Sequence, residues 1–321
     1  MNVQDIVSIM EYLCLPYFGD TDLDEIVVSG GEPLLPANID TINYICKHAV
    51  AKKKILYTNG INILAYKDQI SFDAFDEVQV SLDGSDAVIK KINHYADSFD
   101  KIIGGIKYLQ QMNKSIRIAT IWTKELRSHL KEYIELLVKS NILDQPDTTL
   151  RFVLAKDYHT SGGIDEHFYD WDEIVADLET YNPLLGTINN YLELPVELRE
   201  LEGYLHRPVN KRQSIKYKRC DITKTIPMIC EPNGDIYWCL CLDGESGKIG
   251  NYKEKFFDKD KVEILGNRTI FKIEQCRQCK LRYLCGGGCI LPLTSGDVEI
   301  YQPACGSFKN PFIWENLEKL I

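Results

Sequence analysis

Glu25-Ile-Val-Val-Ser29, followed at once by Gly30-Gly31-Glu32-Pro33, is a short apolar run that stops at two glycines. A β-branched run of this length bounded by turn residues reads as a buried strand. Working outward, Ile39, Ile42, Ile45, Cys46 and Ala49 then fall at helical spacing and predict an inner helix face. Lys54–Thr58 is the next strand, ending in Asn59-Gly60. Glu77–Ser81 follows, ending in Leu82-Asp83-Gly84. A helix with Phe99, Ile102, Ile103 and Ile106 inward leads to the strand Ile116–Ile121. A second, with Leu130, Tyr133, Ile134 and Leu137 inward, leads to Leu150–Leu154. Five apolar strands alternating with helices predict an α/β body of parallel strands with helical crossovers over residues 1–155. Before the first strand, Ile6, Ile9, Met10, Leu13 and Cys14 form one apolar stripe, so Cys14, like Cys46, reads as a core thiol.

Parallel α/β architectures bind ligands at the carboxyl ends of their strands. Three polar or glycine-rich exits stand there in succession: Gly30–Pro33, Asn59-Gly60 and Ser81–Gly84. Each alone is also an ordinary turn sequence, Asn-Gly and Asp-Gly above all. Three in a row suggest one shared site. Glu32 is the most telling, since a carboxylate beside two residues without side chains can accept hydrogen bonds from a ligand amine. The Lys52–Lys54 run reads as a solvated helix end.

The totals set outer bounds. At 321 residues there is room for one large domain and a smaller one. A net charge of -10 argues against nucleic acid as a partner. No apolar run approaches the roughly 20 residues that span a bilayer, so no membrane partner is expected. Residues 156–215 are irregular and polar, with helices expected at Trp171–Leu178 and Pro195–Leu205. His159 and His167 flank Ser161-Gly162-Gly163, and loop histidines of this kind are more often solvated than catalytic.

Nine of the eleven cysteines lie between Cys220 and Cys305. At their centre is Cys276-Arg-Gln-Cys279-Lys-Leu-Arg-Tyr-Leu-Cys285-Gly-Gly-Gly-Cys289. Thiols so close, with glycines that let backbone wrap tightly, converge on metal. A disulfide framework fits poorly with a large chain lacking a secretory signal. A zinc knuckle wants two similar C-x2-C pairs, and these pairs are unequal. Iron–sulfur ligation suits the spacing better and implies a reducing compartment, most simply the cytoplasm. Upstream, Ile226–Cys230 and Asp235–Cys239 flank Asn233-Gly234, a hairpin signal. A two-residue turn would set Cys230 opposite Tyr237 and gather Cys230, Tyr237, Cys239 and Cys241 on one face. A helix is expected from Pro311 to Leu320, and residues 216–321 read as one cysteine-rich module.

The combination resembles the radical S-adenosylmethionine (SAM) enzymes that carry a C-terminal SPASM domain. Cys220-x13-Gly234-x4-Cys239, then Cys276-x2-Cys279-x5-Cys285-x3-Cys289 and Cys305, follows that domain's seven-cysteine pattern. Ser29-Gly30-Gly31-Glu32-Pro33 resembles the motif that holds the SAM amino group. Thr58-Asn59-Gly60 and Ser81-Leu82-Asp83-Gly84 resemble the ribose and methionine contacts. By that likeness Cys276, Cys279, Cys285 and Cys305 would hold an outer auxiliary [4Fe–4S] cluster. Cys220, Cys239 and Cys289 would hold an inner one, with Cys230, Cys241, substrate or solvent as candidate fourth ligand. The resemblance implies a (β/α)6 barrel, a peptide or protein substrate, and an electron donor such as ferredoxin or flavodoxin.

One departure matters. The family's C-x3-C-x2-C, which binds the reactive cluster at the end of the first barrel strand, does not occur. Five counted strands, beginning with a helix, are expected to form a partial barrel lacking its first strand. The chain as it stands is therefore not expected to bind the radical-SAM cluster or to reduce SAM. It reads either as part of a full enzyme or as a cluster-binding electron-transfer or peptide-binding partner. The retained strand exits favour the former. In the sulfatase-maturing branch an Asp follows the cysteine matching Cys239, and here that position is Leu240. This points toward ribosomal-peptide modification.

Overall fold

The computed structural model describes residues 1–14, 23–85, 98–143, 145–154, 180, 192–193, 227–239, 247–279 and 282–287. Cys220, Cys241, Cys289 and Cys305 lie outside these residues, as do His159, His167 and the helices expected at 171–178, 195–205 and 311–320. The side chains of Cys14 and Cys285 do too. The chain divides into two compact units. One is Thr21–Arg199 together with Asn2; the other joins Val3–Asp20 to Glu200–Ile321.

In the first unit the strands are β1 (Leu23–Val28), β2 (Ala51–Thr58), β3 (Glu77–Ser81), β4 (Ser115–Trp122), β5 (Thr148–Leu154) and β6 (Leu192–Glu193). All neighbours pair in parallel, and the order across the sheet is the order along the chain. This succession without reversal is that of a (β/α) barrel rather than of a doubly wound sheet. The expected five strands are all present. β6 is an addition that the sequence pattern does not announce, because two residues followed closely by Pro195 carry no measurable period. The Lys52–Lys54 run is corrected: it lies inside β2. There Lys52 pairs with Asp24 and Lys53 with Glu77, each at 2.7 Å.

Alternation along the strands separates two faces. Leu56, Val78, Val80, Ile116, Ile118, Leu150 and Phe152 are each 1 % exposed or less. Burying such side chains stabilises by about 1.5–3 kcal/mol apiece. They share their face with Thr120 and Thr148, which bond to helices. Those helices are α3 (Ser98–Gln111) and α5 (Leu130–Lys139); α2 (Ile39–His48) precedes β2, and a short α4 (Lys124–Arg127) follows β4. α5 buries the four residues expected of it, Leu130, Tyr133, Ile134 and Leu137. α2 buries Ile39, Ile42 and Ile45, while Cys46 is half-buried and held above the usual thiol range by that burial. In α3 the inner face is Ile102, Gly105, Ile106 and Leu109, and Phe99 and Ile103 are only half-buried. Gly105 explains the rotation: a Cβ there would stand 3.0 Å from Ile63 Cβ and 3.2 Å from the Gly60 carbonyl oxygen. The helix is thereby pressed against the Asn59-Gly60 turn.

The second unit holds an antiparallel sheet ordered β10-β9-β8-β7. Its strands are β7 (Ile229–Cys230), β8 (Asp235–Tyr237), β9 (Lys248–Asn251) and β10 (Phe256–Phe257). Helices α6 (Lys259–Gly266), α7 (Glu274–Arg277) and α8 (Arg282–Cys285) follow. Ile236, Trp238, Ile249, Tyr252 and Val262 form its core, and Ile9 and Tyr12 pack against them. The opening segment thus belongs with this sheet. Lys253 reinforces the arrangement by pairing with Asp5 at 3.3 Å. α1 (Val3–Ile9) gives way to a π-helical turn over Met10–Cys14. That wider turn breaks the 3.6-residue phase and brings in Tyr12, which the continuous stripe had left out.

The hairpin register is also corrected. Cys230 pairs with Ile236 and Ile229 with Tyr237, so Cys230 does not share its face with Tyr237. The loop has three residues rather than two, because the Glu231 N–H donates to the Asp235 carbonyl at 2.8 Å. Gly234 takes φ +104, as three-residue hairpin loops require, and the Asn233 side chain accepts from the Asp235 N–H at 3.0 Å.

Candidate functional site

The site begins where β1 leaves the sheet. Ser29, Gly30 and Gly31 are exposed, Glu32 is half-buried and Pro33 is buried. Gly30 sits at φ +133, which favours glycine on conformational grounds. Gly31 does not; its φ is ordinary, and a Cβ there would meet nothing within 4 Å among the described residues.

Glu32 ties this exit to the next one. Its Oε1 accepts from the Leu34 N–H at 2.8 Å and from the Thr58 hydroxyl at 2.7 Å. Its Oε2 accepts from the Asn59 N–H at 2.7 Å. The carboxylate expected to accept from a ligand amine also holds two loops in register. Thr58 completes the joint by accepting from the Gly60 N–H at 3.0 Å. Asn59 Oδ1 accepts from the Ile61 N–H at 3.0 Å, and Asn62 donates to the Leu34 carbonyl at 2.8 Å. Two strand exits therefore form one hydrogen-bonded unit.

The third exit is braced toward β4. Ser81 is exposed, and Asp83 Oδ1 accepts from the Ile121 N–H at 2.9 Å. The Leu82 carbonyl accepts from Thr120 at 2.8 Å and from Tyr133 at 3.0 Å, and these two hydroxyls lie 2.8 Å apart. Burial pushes the Tyr133 phenol far above its ordinary range, so it remains a neutral donor. Because β1, β2 and β3 are adjacent, the three predicted exits stand side by side, one strand spacing of about 4.8 Å apart.

The sheet face away from the helices is polar. Tyr57, Gln79, Arg117 and Thr149 lie in one lateral row, and Ser81, Ala119 and Arg151 in the next. Glu77, on the same face, pairs with Lys53 at 2.7 Å and with Arg117 at 2.6 Å. Burial raises the Tyr57 phenol above its ordinary range; Arg117 and Arg151 oppose the rise, and Glu25 and Glu77 add to it. Five strands thus converge on one polar cluster.

In the second unit, Cys276 is buried against Ile270 and Ile273, and Cys279 is half-buried one turn later. The Cys279 N–H donates to the Cys276 carbonyl at 3.1 Å, closing the C-x2-C turn. Cys230 and Cys239 pack against the Trp238 core. Among the described residues no three Cys, His, Asp or Glu side chains are close enough to hold a metal. The thiol set is chemically suited to iron–sulfur, but its remaining members lie outside the described residues.

Sequence reasoning passed over the Glu32–Thr58 joint, together with the Thr120–Tyr133 brace and the polar face. The last was available in principle: Glu77, Gln79 and Ser81 alternate with Val78 and Val80. The braces carry no sequence signal, since a buried threonine and a core tyrosine look like packing residues.

No protein-family model matches the chain. Among solved structures, native anSMEcpe with bound AdoMet and Cp18Cys peptide superposes with TM-score 0.69 at 18 % identity, covering 100 % of this chain and 90 % of that one. Streptococcus suis SuiB bound to S-adenosylmethionine gives TM-score 0.58 at 19 % identity, covering 87 % and 65 %. This chain shares the fold of both neighbours. Pre-heme d1 synthase of Dinoroseobacter shibae is 26 % identical over 114 residues, 35 % of this chain. That match spans only 28 % of the synthase's length. No helix among the described residues is long and apolar enough to cross a membrane.

Proposed function

We propose that this chain is a radical-SAM/SPASM-type component of a peptide- or protein-modifying system, binding AdoMet at the exits of β1 to β3 and auxiliary iron–sulfur clusters in its C-terminal module. The observation that carries the AdoMet assignment is Gly31. Neither backbone strain nor internal packing asks for glycine there, yet the residue is exposed at the carboxyl end of a strand. Close approach of a ligand to bare backbone is the remaining physical reason for it. The neighbours sharing the fold hold AdoMet, and two of them also hold a peptide.

Ser29, Gly30 and Gly31 offer backbone to the ligand's amino acid end, with Glu32 and Pro33 fixing their path. Asn59, Ser81 and Asp83 close the site from β2 and β3. Cys276, Cys279, Cys285 and Cys305 are assigned to an outer [4Fe–4S] cluster, and Cys220, Cys239 and Cys289 to an inner one. Cys230 or Cys241 is the candidate fourth inner ligand. Such clusters supply one-electron chemistry or ligate substrate when bound, and a ferredoxin or flavodoxin is the natural donor class. The 321 residues contain no C-x3-C-x2-C, so AdoMet binding, and not its reductive cleavage, is assigned to them. A cluster-bearing electron-transfer or peptide-binding partner is the second reading, and the same absence favours it.

Two measurements test the assignment. In anaerobic calorimetry the parent chain binds AdoMet, while Gly31→Ala weakens binding at least tenfold, about 1.4 kcal/mol. Because the new Cβ meets nothing among the described residues, stability stays within about 0.5 kcal/mol. Equal affinity in the two proteins, or none in either, overturns the AdoMet site. After anaerobic reconstitution, roughly eight irons with matching sulfide are expected per chain, as two four-iron clusters. Zinc without sulfide overturns the cluster assignment.

A further inference from the structure

The polar face of the sheet contains an unmet demand. Gln79 lies at the centre of β3, and its Oε1 is buried with no hydrogen-bond partner among the described residues. Its lateral neighbours are Tyr57 on β2 and Arg117 on β4. Two residues further along β3 comes Ser81, at the exit assigned to AdoMet. A buried acceptor left without a donor is a standing cost to the fold, and leucine or methionine would fill a similar volume without it. Its retention between a phenol and a guanidinium points to a donor arriving from outside.

We propose that Gln79 is a substrate-positioning residue whose buried amide oxygen takes a backbone N–H of the peptide presented to this face. A carboxamide is the complement of a peptide bond, since each offers one carbonyl acceptor beside N–H donors. Recognition through main-chain groups sets the depth and register of a peptide while leaving its side chains unread. Tyr57 and Arg117 can donate to the peptide's carbonyls from either side, while Glu77 holds Arg117 in place at 2.6 Å. This rests on the peptide-modifying reading. The ligand group could in principle belong to AdoMet instead, whose adenine also carries an amino donor, so the test separates the two.

The probes are AdoMet and N-acetylglycylglycine N-methylamide, the latter added to the AdoMet-loaded protein and followed by saturation-transfer NMR. The parent chain should transfer saturation to the dipeptide amide. Gln79→Leu should lose most of that signal, at least fivefold, with AdoMet affinity unchanged within twofold. The same variant should melt about 2–4 °C higher, because the unpartnered amide is gone. Gain of stability together with loss of peptide contact is the signature that a packing role would not produce. Three results overturn the proposal: an undiminished dipeptide signal in Gln79→Leu, no signal in the parent, or a parallel fall in AdoMet affinity. Should the parent bind no AdoMet at all, the failure lies with the functional reading on which this inference rests.

Discussion

Gly60→Ala should destabilise the α/β unit by about 2–4 kcal/mol and lower its melting temperature by about 5–15 °C. Two penalties add at this position. Gly60 has φ +78, a left-handed conformation that costs an alanine roughly 1 kcal/mol. Its Cβ would also stand 2.7 Å from Val80 Cγ1 and 3.3 Å from Ile102 Cγ2, inside the packing between β3 and α3. Neither neighbour can move cheaply: Val80 is fully buried, and Ile102 lies on the face that Gly105 brings against this turn. Overpacking of this kind costs about 1–3 kcal/mol. Circular dichroism melts of parent and variant decide it, and a shift under 2 °C would show that the turn relaxes freely. The contrast with Gly31→Ala is instructive. One glycine is demanded by the protein's own packing, the other by nothing among the described residues.

That contrast marks what the sequence could and could not reveal. The parallel α/β body was legible because β-branched runs such as Glu77–Ser81 and Ser115–Trp122 alternate with helices of clear period, and their ends carry the turn residues that expose a site. The thiol pattern was legible for a related reason: metal ligation fixes spacing. Three things were hidden. A two-residue strand, Leu192–Glu193, has no period to read. The hairpin around Asn233-Gly234 has two registers that differ by one residue, and the backbone bond from Glu231 to Asp235 selects the longer loop. The opening helix carries a stripe that would suit either unit; the packing of Ile9 and Tyr12 and the Asp5–Lys253 pair show which sheet it serves. The first and third depend on partners distant in sequence, where local propensity is silent, and the second on a choice between two local registers that the turn residues alone do not make.

Glu32 offers the sharpest test of how the site is built, because the structure gives it a positioning role beside the ligand contact that its sequence context suggests. Three donors converge on its carboxylate: the Leu34 and Asn59 N–H groups and the Thr58 hydroxyl, all within 2.8 Å. In Glu32→Gln one oxygen becomes an NH2 that faces a donor, so at least one of these bonds is lost and another weakened. With hydrogen bonds to charged groups worth about 1.5–3 kcal/mol each, a loss of about 2–4 kcal/mol is expected. The exits of β1 and β2 would then no longer be held together, and AdoMet affinity should fall by at least tenfold. Thr58→Val separates positioning from contact. Thr58 is only 4 % exposed, and its hydroxyl is engaged by Glu32 and by the Gly60 N–H. If Glu32 acts by holding the exits in register, Thr58→Val weakens AdoMet in the same direction, and adding it to Glu32→Gln costs little more, since both break one joint. If Glu32 instead meets the ligand directly, Thr58→Val leaves AdoMet affinity intact and the two effects are independent. Calorimetric titration of the four proteins distinguishes a carboxylate that binds from one that aligns the residues that do.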